Sequence, residues 1–217
     1  MSAVLATINP HSVGLIPPGN TVFLSHSKHD PSLNYFKDVF LSAGATPRII
    51  SLEDIQPPPW YQITEAIWNS GAVWVLLHSK LLEPTFQHTA NWISYEVGVA
   101  SESNRPVVVF EPLSTPVEFC VPYCSFRIVY DSNDTHPRTH QFHSLTNLAK
   151  ICAIEKPPSG WAVTPQQQDP ASRWINLAMR LPLQGRRRQC RNPECGLTWY
   201  ELGASRSQCP SCRKPRP

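Results

Sequence analysis

Short apolar runs alternate with segments of helical periodicity over roughly the first 155 residues. The runs are near-continuously apolar, as in strands that are buried on both faces of a sheet. Because strands alternate with helical segments along this part of the chain, the pattern predicts an α/β fold with a doubly wound, five-stranded parallel sheet. The five predicted strands are TVFLS (21–25), TPRIISL (46–52), AVWVLLHS (72–79), PVVVFEP (106–112) and FRIVY (126–130).

Four segments between and after these strands have helical spacing. In the first, DPSLNYFKDVFLSAGA, we expect Asp30 as N-cap, Pro31 at the first helical position and Gly44 as the stop. The other three lie around YQITEAIWNS, NWISYEVGVA and FHSLTNLAKICAI. Ligands of open α/β sheets bind at the carboxyl ends of the strands. We expect the loop 25–30, the Pro-rich loop EDIQPPPW (53–60) and the start of the third helix at that edge.

The third helix carries a glutamate among aromatic residues. Trp92 and Glu96 are four residues apart and share a face, with Tyr95 beside them. A separate apolar stripe is the expected core face, and it consists of Ile93, Val97 and Ala100. Glu96 is then either a boundary glutamate paired with a Lys or Arg, or a carboxylate with a function.

Charge and composition divide the chain into unequal parts. From Arg186 onward eight Lys and Arg stand against two Glu, although the whole chain has a net charge of only +3. We predict an N-terminal extension (1–19), a main domain (20–155), a Pro/Gln linker with one short amphipathic helix (156–185) and a small basic domain (186–217). No run approaches the ~20 apolar residues of a membrane span. The N-terminus has no secretory signal pattern, so we expect a soluble cytoplasmic protein.

The basic domain contains a cysteine cluster, arranged as Cys190-x4-Cys195 and Cys209-x2-Cys212. Two thiolate pairs joined by a hairpin predict a structural zinc ribbon with four cysteine ligands and no open position for catalysis. So short a segment cannot bury enough apolar surface to fold without the metal. We expect its core to be separate from that of the main domain, and its basic surface to bind a nucleic acid or another protein. We interpret His136, His140 and His143 as a solvated polar loop.

Several motifs, in order, resemble those of TIR (Toll/interleukin-1 receptor) domains. TVFLSHSKHD resembles the first strand and loop, the Pro-rich segment before AIWNSGAVWVLLHS is similar to the BB loop with the second helix and third strand, and WISYE is similar to the Trp-x-x-x-Glu motif of TIR domains that cleave NAD+. The resemblance covers roughly residues 20–155 and implies a flavodoxin-like sheet. The first loop departs from the pattern, because His26, Ser27 and Lys28 stand where some members carry an arginine.

The resemblance also implies a function, namely an NAD+ glycohydrolase or cyclase in defence or signalling that self-associates through its TIR domains. Glu96 is then the catalytic residue. Trp60 either gates the cleft or packs as a core staple, and Lys28 is a candidate for the pyrophosphate. The residues expected to contact the dinucleotide are Ser25, His26, Ser27, Lys28, Trp60, Trp92 and Tyr95. A non-catalytic TIR adaptor is the alternative, and a nucleic-acid-binding role of the ribbon is compatible with either.

One carboxylate is chemically sufficient for this reaction. Breaking the nicotinamide–ribose bond builds positive charge on the ribose carbon, and nicotinamide leaves without being protonated. A carboxylate beside that carbon stabilises the charge, the more so in a water-poor cleft. Aromatic neighbours offer stacking faces for flat rings.

Overall fold

The structure is a computed structural model. It describes residues 19–27, 29–50, 60–114, 117, 121, 124–155, 161, 186–201 and 208–214. Most of the N-terminal extension, Lys28, the Pro-rich loop before Trp60 and the predicted amphipathic helix of the linker lie outside the described residues.

The described strands form one mixed, seven-stranded sheet in the order β2-β1-β3-β4-β5-β7-β6. Neighbours among the first five strands pair in parallel. The last two strands form an antiparallel hairpin, and β7 pairs antiparallel with β5. The strands are β1 (Thr21–Ser25), β2 (Thr46–Arg48), β3 (Val73–Leu76), β4 (Val107–Pro112), β5 (Phe126–Tyr130), β6 (Arg186–Gln189) and β7 (Thr198–Glu201).

Four α-helices lie in two pairs against this sheet, where α1 contacts α4 and α2 contacts α3. They are α1 (Leu33–Ala43), α2 (Trp60–Trp68), α3 (Gln87–Glu102) and α4 (His140–Ala153). Two 3-10 turns, Ser79–Leu82 and Pro84–Phe86, connect β3 to α3. None of the described helices combines the length and apolar character that a membrane crossing requires.

Alternate side chains of the central strands enter two different hydrophobic cores. In β3, Trp74 and Leu76 pack with the side of α1 and α4, whereas Val73 and Val75 pack with α2 and α3. Trp74 is completely buried, with its ring centroid 4.5 Å from that of Phe110. Because successive side chains of a strand point to opposite faces, a strand covered on both faces is apolar at nearly every position. This explains the continuous apolar runs of the sequence.

The ends of α1 agree only partly with prediction. Gly44 caps the C-terminus in the left-handed region, at φ 68°, where glycine has no steric penalty. The helix begins at Leu33 with Ser32 as N-cap, so the predicted N-cap at Asp30 and the predicted first helical position at Pro31 are both wrong by two residues. Asp30 instead accepts hydrogen bonds through Oδ1 from the backbone N–H and the hydroxyl of Ser32, at 2.8 and 2.5 Å. Its side chain closes a turn ahead of the helix.

The hairpin at the C-terminal end corrects the expected sheet. A five-stranded, wholly parallel sheet is not confirmed, because β6 and β7 extend it to seven mixed strands. Leu197 and Trp199 of the hairpin belong to the same hydrophobic core as Leu145 and Leu148 of α4. In the described part of the chain the predicted ribbon therefore has no separate core. The pairing also protects the edge of β5, whose backbone groups would otherwise be open to another chain.

Candidate active site and metal centre

The carboxyl edge of the parallel strands holds a buried serine–glutamate pair. Ser25 is the last residue of β1, and Glu96 lies in the middle of α3. The Ser25 hydroxyl donates a hydrogen bond to Oε2 of Glu96. The exposed fractions are 2% for Ser25 and 5% for Glu96. The structure thus brings two predicted site residues together at the edge where open α/β sheets bind ligands.

The environment of Glu96 favours its neutral form. Burial raises its pKa from 4.5 to about 7, and the hydrogen bond from Ser25 acts in the opposite direction. A buried carboxylate is costly because it has lost its water shell. Near neutral pH both protonation states of Glu96 are therefore populated. No Lys or Arg of the described residues contributes to this shift, as a boundary glutamate paired with a base would require.

Two predicted aromatic residues flank this position on α3. Trp92 is half-buried and donates from its indole N–H to Nε2 of His88 at 2.9 Å. Its ring meets the Tyr95 ring edge-on, with centroids 5.6 Å apart. The Tyr95 hydroxyl is 2.9 Å from Oγ1 of Thr64 on α2, so both rings have fixed orientations. The predicted core stripe of this helix is confirmed as fully or almost fully buried, and it consists of Ile93, Val97 and Ala100.

The remaining predicted nucleotide contacts lie in different environments. Ser27 is buried, and its hydroxyl oxygen accepts from the backbone N–H of His29 at 3.3 Å. His26 is half-buried, with Nδ1 2.7 Å from the carbonyl oxygen of Ser27. Lys28 lies outside the described residues. The Trp60 side chain is 63% exposed, so it is not packed as a core staple.

Sequence reasoning missed two polar side chains at the same edge. Asp30 and His78 are both more than nine-tenths buried, and within the described chain Oδ2 of Asp30 and Nε2 of His78 have no hydrogen-bond partner. Burial lowers the pKa of His78, and the charge of Asp30 opposes that shift. One signal was available in the sequence, since His78 follows an apolar strand at the end where ligands bind.

The four cysteines of the tail come together as a metal-type cluster. The sulfur atoms of Cys190, Cys195, Cys209 and Cys212 all lie within 4.8 Å of one another. Two of the separations are 3.5 Å, between Cys190 and Cys212, and 3.8 Å, between Cys195 and Cys209. Zn–S bonds of ~2.3 Å in a tetrahedron separate neighbouring sulfurs by about 3.8 Å. The four thiols therefore fit one metal ion such as zinc.

The cysteine cluster is built against α4. Ser144 donates from Oγ to the carbonyl oxygen of Cys195 and lies 3.4 Å from its sulfur. The hydrogen bond between Cys195 and Cys209 lowers the pKa of Cys195 and raises that of Cys209, as expected of two close thiols that share one proton. The prediction that His136, His140 and His143 form a loop cluster is wrong for two of them, because His140 and His143 lie in the first turns of α4. In the described chain the three join no comparable group of ligand atoms.

Comparison with known proteins adds no further assignment. No protein family, curated protein or solved structure matches the chain. The geometry of the site and the sequence motifs are therefore the basis on which a function is proposed.

Proposed function

We propose that this protein is an NAD+ nucleosidase of the TIR type, which cleaves the bond between nicotinamide and ribose. The observation that carries the proposal is the buried Glu96 at the carboxyl edge, with the Ser25 hydroxyl on its carboxylate and two aromatic rings on the same helix. The fold supports it as well. The parallel strands follow the order 2-1-3-4-5, which is that of doubly wound, flavodoxin-like sheets.

In this reaction nicotinamide departs with the electron pair of the glycosidic bond. The ribose carbon becomes electron-poor, and water adds to it and loses a proton, or a nucleophile of the same substrate closes a ring. The ionised carboxylate of Glu96 stabilises the positive charge as it develops. Because Glu96 is buried, solvent screens this interaction little, which makes it stronger than it would be in water.

The two aromatic residues have complementary roles in this proposal. Trp92 is half-buried and offers an indole face for a flat ring of the substrate. Tyr95 is held by Thr64 of α2 and keeps the Trp92 ring in place through their edge-on contact. The nicotinamide ring of NAD+ is flat and positively charged, so an aromatic face suits it both in shape and in charge.

The test is nicotinamide release from NAD+ by the full chain at high protein concentration. Glu96→Gln keeps the size of the side chain but removes its charge, and we expect turnover to fall by ~10²-fold or more. Glu102→Gln is a matched control, because Glu102 lies at the exposed end of the same helix. The proposal is abandoned if Glu96→Gln releases nicotinamide as fast as the control does.

A TIR-like enzyme of this kind is expected to self-associate and to act in defence or signalling. A non-catalytic adaptor remains the second candidate, and it predicts self-association without nicotinamide release at any concentration.

One specific structural observation favours a nucleic-acid partner. Three consecutive arginines, 186–188, form most of β6, the outermost strand of the sheet. Salt-dependent binding of a DNA or RNA duplex, lost when the three are changed to Gln, tests that role.

A further inference from the structure

The Ser25 hydroxyl has a single proton, and it donates this proton in a hydrogen bond to the carboxylate of Glu96. The serine is 2% exposed, and a ligand could receive its proton only by displacing the bond to Glu96. We infer that Ser25 is a positioning residue, which acts on the substrate through the carboxylate of Glu96 and not as a contact of the nucleotide. This inference rests on the proposed function, and it assigns Ser25 a role that the family motifs alone did not indicate.

Both partners stand on rigid elements. β1 lies between β2 and β3, and Ser25 is in register with Val75 of β3. Glu96 is in the interior of a 16-residue helix whose neighbouring positions Ile93 and Val97 are fully packed. The hydrogen bond joins residues 71 positions apart. It therefore fixes a flexible carboxylate against the end of a central strand, which is how precise geometry is maintained at a site.

The hydroxyl also supports the charged form of the carboxyl group. The shift of the Glu96 pKa has two causes, burial and the Ser25 hydrogen bond, and no charged side chain of the described residues contributes to it. None of the titratable side chains on the surrounding elements contributes to the shift of the Glu96 pKa. These side chains are His26, His29, Asp30, His78, His88 and Tyr95. Without the hydroxyl, burial alone remains, so the carboxyl group ionises at higher pH.

The first experiment measures the ionisation of Glu96 without any substrate. The full chain is labelled with ¹³C at glutamate carboxyl carbons, the Glu96 signal is assigned by its loss in Glu96→Gln, and it is titrated with pH. Ser25→Ala should raise the Glu96 pKa by about one unit, and Ser25→Thr should restore it because threonine keeps the donor. Ser27→Ala is the matched control, since Ser27 is equally buried but its hydroxyl oxygen accepts from His29.

The second experiment measures nicotinamide release between about pH 5 and pH 9. Ser25→Ala should lower kcat about tenfold near neutral pH and move the acidic limb upward, with the KM for NAD+ changed less than about twofold. A nucleotide contact gives the opposite split, in which KM rises and the pH profile stays in place. That result, or an unchanged Glu96 titration in Ser25→Ala, overturns the inference.

The two experiments separate the two claims. If the wild-type chain releases no nicotinamide but Ser25→Ala still shifts the Glu96 titration, the proposed enzyme activity fails and the Ser25–Glu96 coupling stands. If nicotinamide is released and neither the titration nor the kcat profile responds to Ser25→Ala, the activity stands and the coupling fails. Should Ser25→Ala not fold, Ser25→Cys keeps the size with a weaker donor and must shift the titration in the same direction.

Discussion

The hydroxyl of Ser211 donates a hydrogen bond to the backbone carbonyl oxygen of Ser144 at 2.8 Å. Ser144 belongs to α4, and Ser211 lies between the last two cysteines of the metal-type cluster. Both serines are buried. The contact therefore joins the cysteine cluster to the middle of a core helix, while β7 joins the same segment to the edge of β5. Metal binding and the stability of the main sheet should be linked through these two connections.

We predict one tightly held zinc per chain. When the zinc is removed, we expect the tail and the main sheet to lose stability together. Because the cluster, β7 and α4 share one core, chelation should lower the melting temperature of the whole domain and not only unfold the tail. Elemental analysis measures the zinc, and far-UV circular dichroism with and without a chelator follows the helices. A helical signal that melts at the same temperature after complete zinc removal contradicts this coupling.

A pair of cysteine variants provides the control for that experiment. Cys209→Ser removes one ligand of the cluster and should reduce bound zinc to well below one equivalent. Cys124→Ser changes a cysteine that packs with the α2 and α3 side of the sheet and should leave the zinc content unchanged. Equal zinc content in the two variants would show that the metal is held elsewhere.

The sequence predicted local elements better than their assembly. The strand 21–25 and the strand 126–130 have the predicted bounds, because short, mostly apolar runs between polar segments are typical of buried strands. The start of α1 was misplaced, since Asp30 and Ser32 are both residues that commonly cap helices, and the Asp30 carboxylate binds Ser32 in a turn ahead of the helix instead. The pairing of β7 with β5 joins segments about 70 residues apart, and no local pattern specifies which sheet edge a hairpin will join.

Glu96→Gln should also change the dependence of stability on pH. The folded pKa of Glu96 is about 7, above its ordinary value of 4.5, so the fold favours the protonated acid. The stabilising contribution of the neutral acid is complete below about pH 4.5 and is lost as pH rises through 7. Glutamine stays neutral throughout. The variant should match the wild type near pH 5 and exceed its free energy of unfolding near pH 8 by roughly 2–3 kcal/mol.

Urea unfolding at the two pH values measures that difference. Glu102→Gln again serves as the control, because Glu102 is exposed and should respond equally at both. A Glu96→Gln protein that is less stable than the wild type at pH 8 would indicate a carboxylate paired with a base in solution, which is the boundary interpretation of this residue.

Gly71→Ala should destabilise the fold strongly. A Cβ at this position would lie 2.0 Å from the carbonyl oxygen of Cys152, and that oxygen belongs to the backbone of α4, which cannot rotate away. Relieving the overlap requires the segment between α2 and β3, which contains Gly71, to move away from α4, at a cost of about 2 kcal/mol or more. Gly98→Ala is the control, since nothing lies within 4 Å of its Cβ position and alanine favours a helix by ~1 kcal/mol. In thermal unfolding, Gly71→Ala should have a lower melting temperature than the wild type, whereas Gly98→Ala should not. Equal melting temperatures of the two variants contradict the close packing at Gly71.

Arg127→Met should be among the most destabilising single changes in the described chain. Arg127 forms two hydrogen bonds with the Glu111 carboxylate, each 2.8 Å long, and a third with the carbonyl oxygen of Val117. Because Glu111 and Arg127 are both buried, removing the guanidinium leaves an uncompensated carboxylate in the core. The loss should be about 3–5 kcal/mol.

The double variant Arg127→Met with Glu111→Gln separates charge from packing. A glutamine at 111 removes the buried charge, and its side-chain oxygen can still accept from the backbone N–H of Val117, which Glu111 binds at 2.7 Å. The double variant should therefore recover part of the lost stability relative to Arg127→Met alone. Urea unfolding of the wild type, both single variants and the double variant completes the cycle. If the loss of unfolding free energy in the double variant equals the sum of the losses in the two single variants, the two charges are not coupled. The pair then contributes to stability only through its packing.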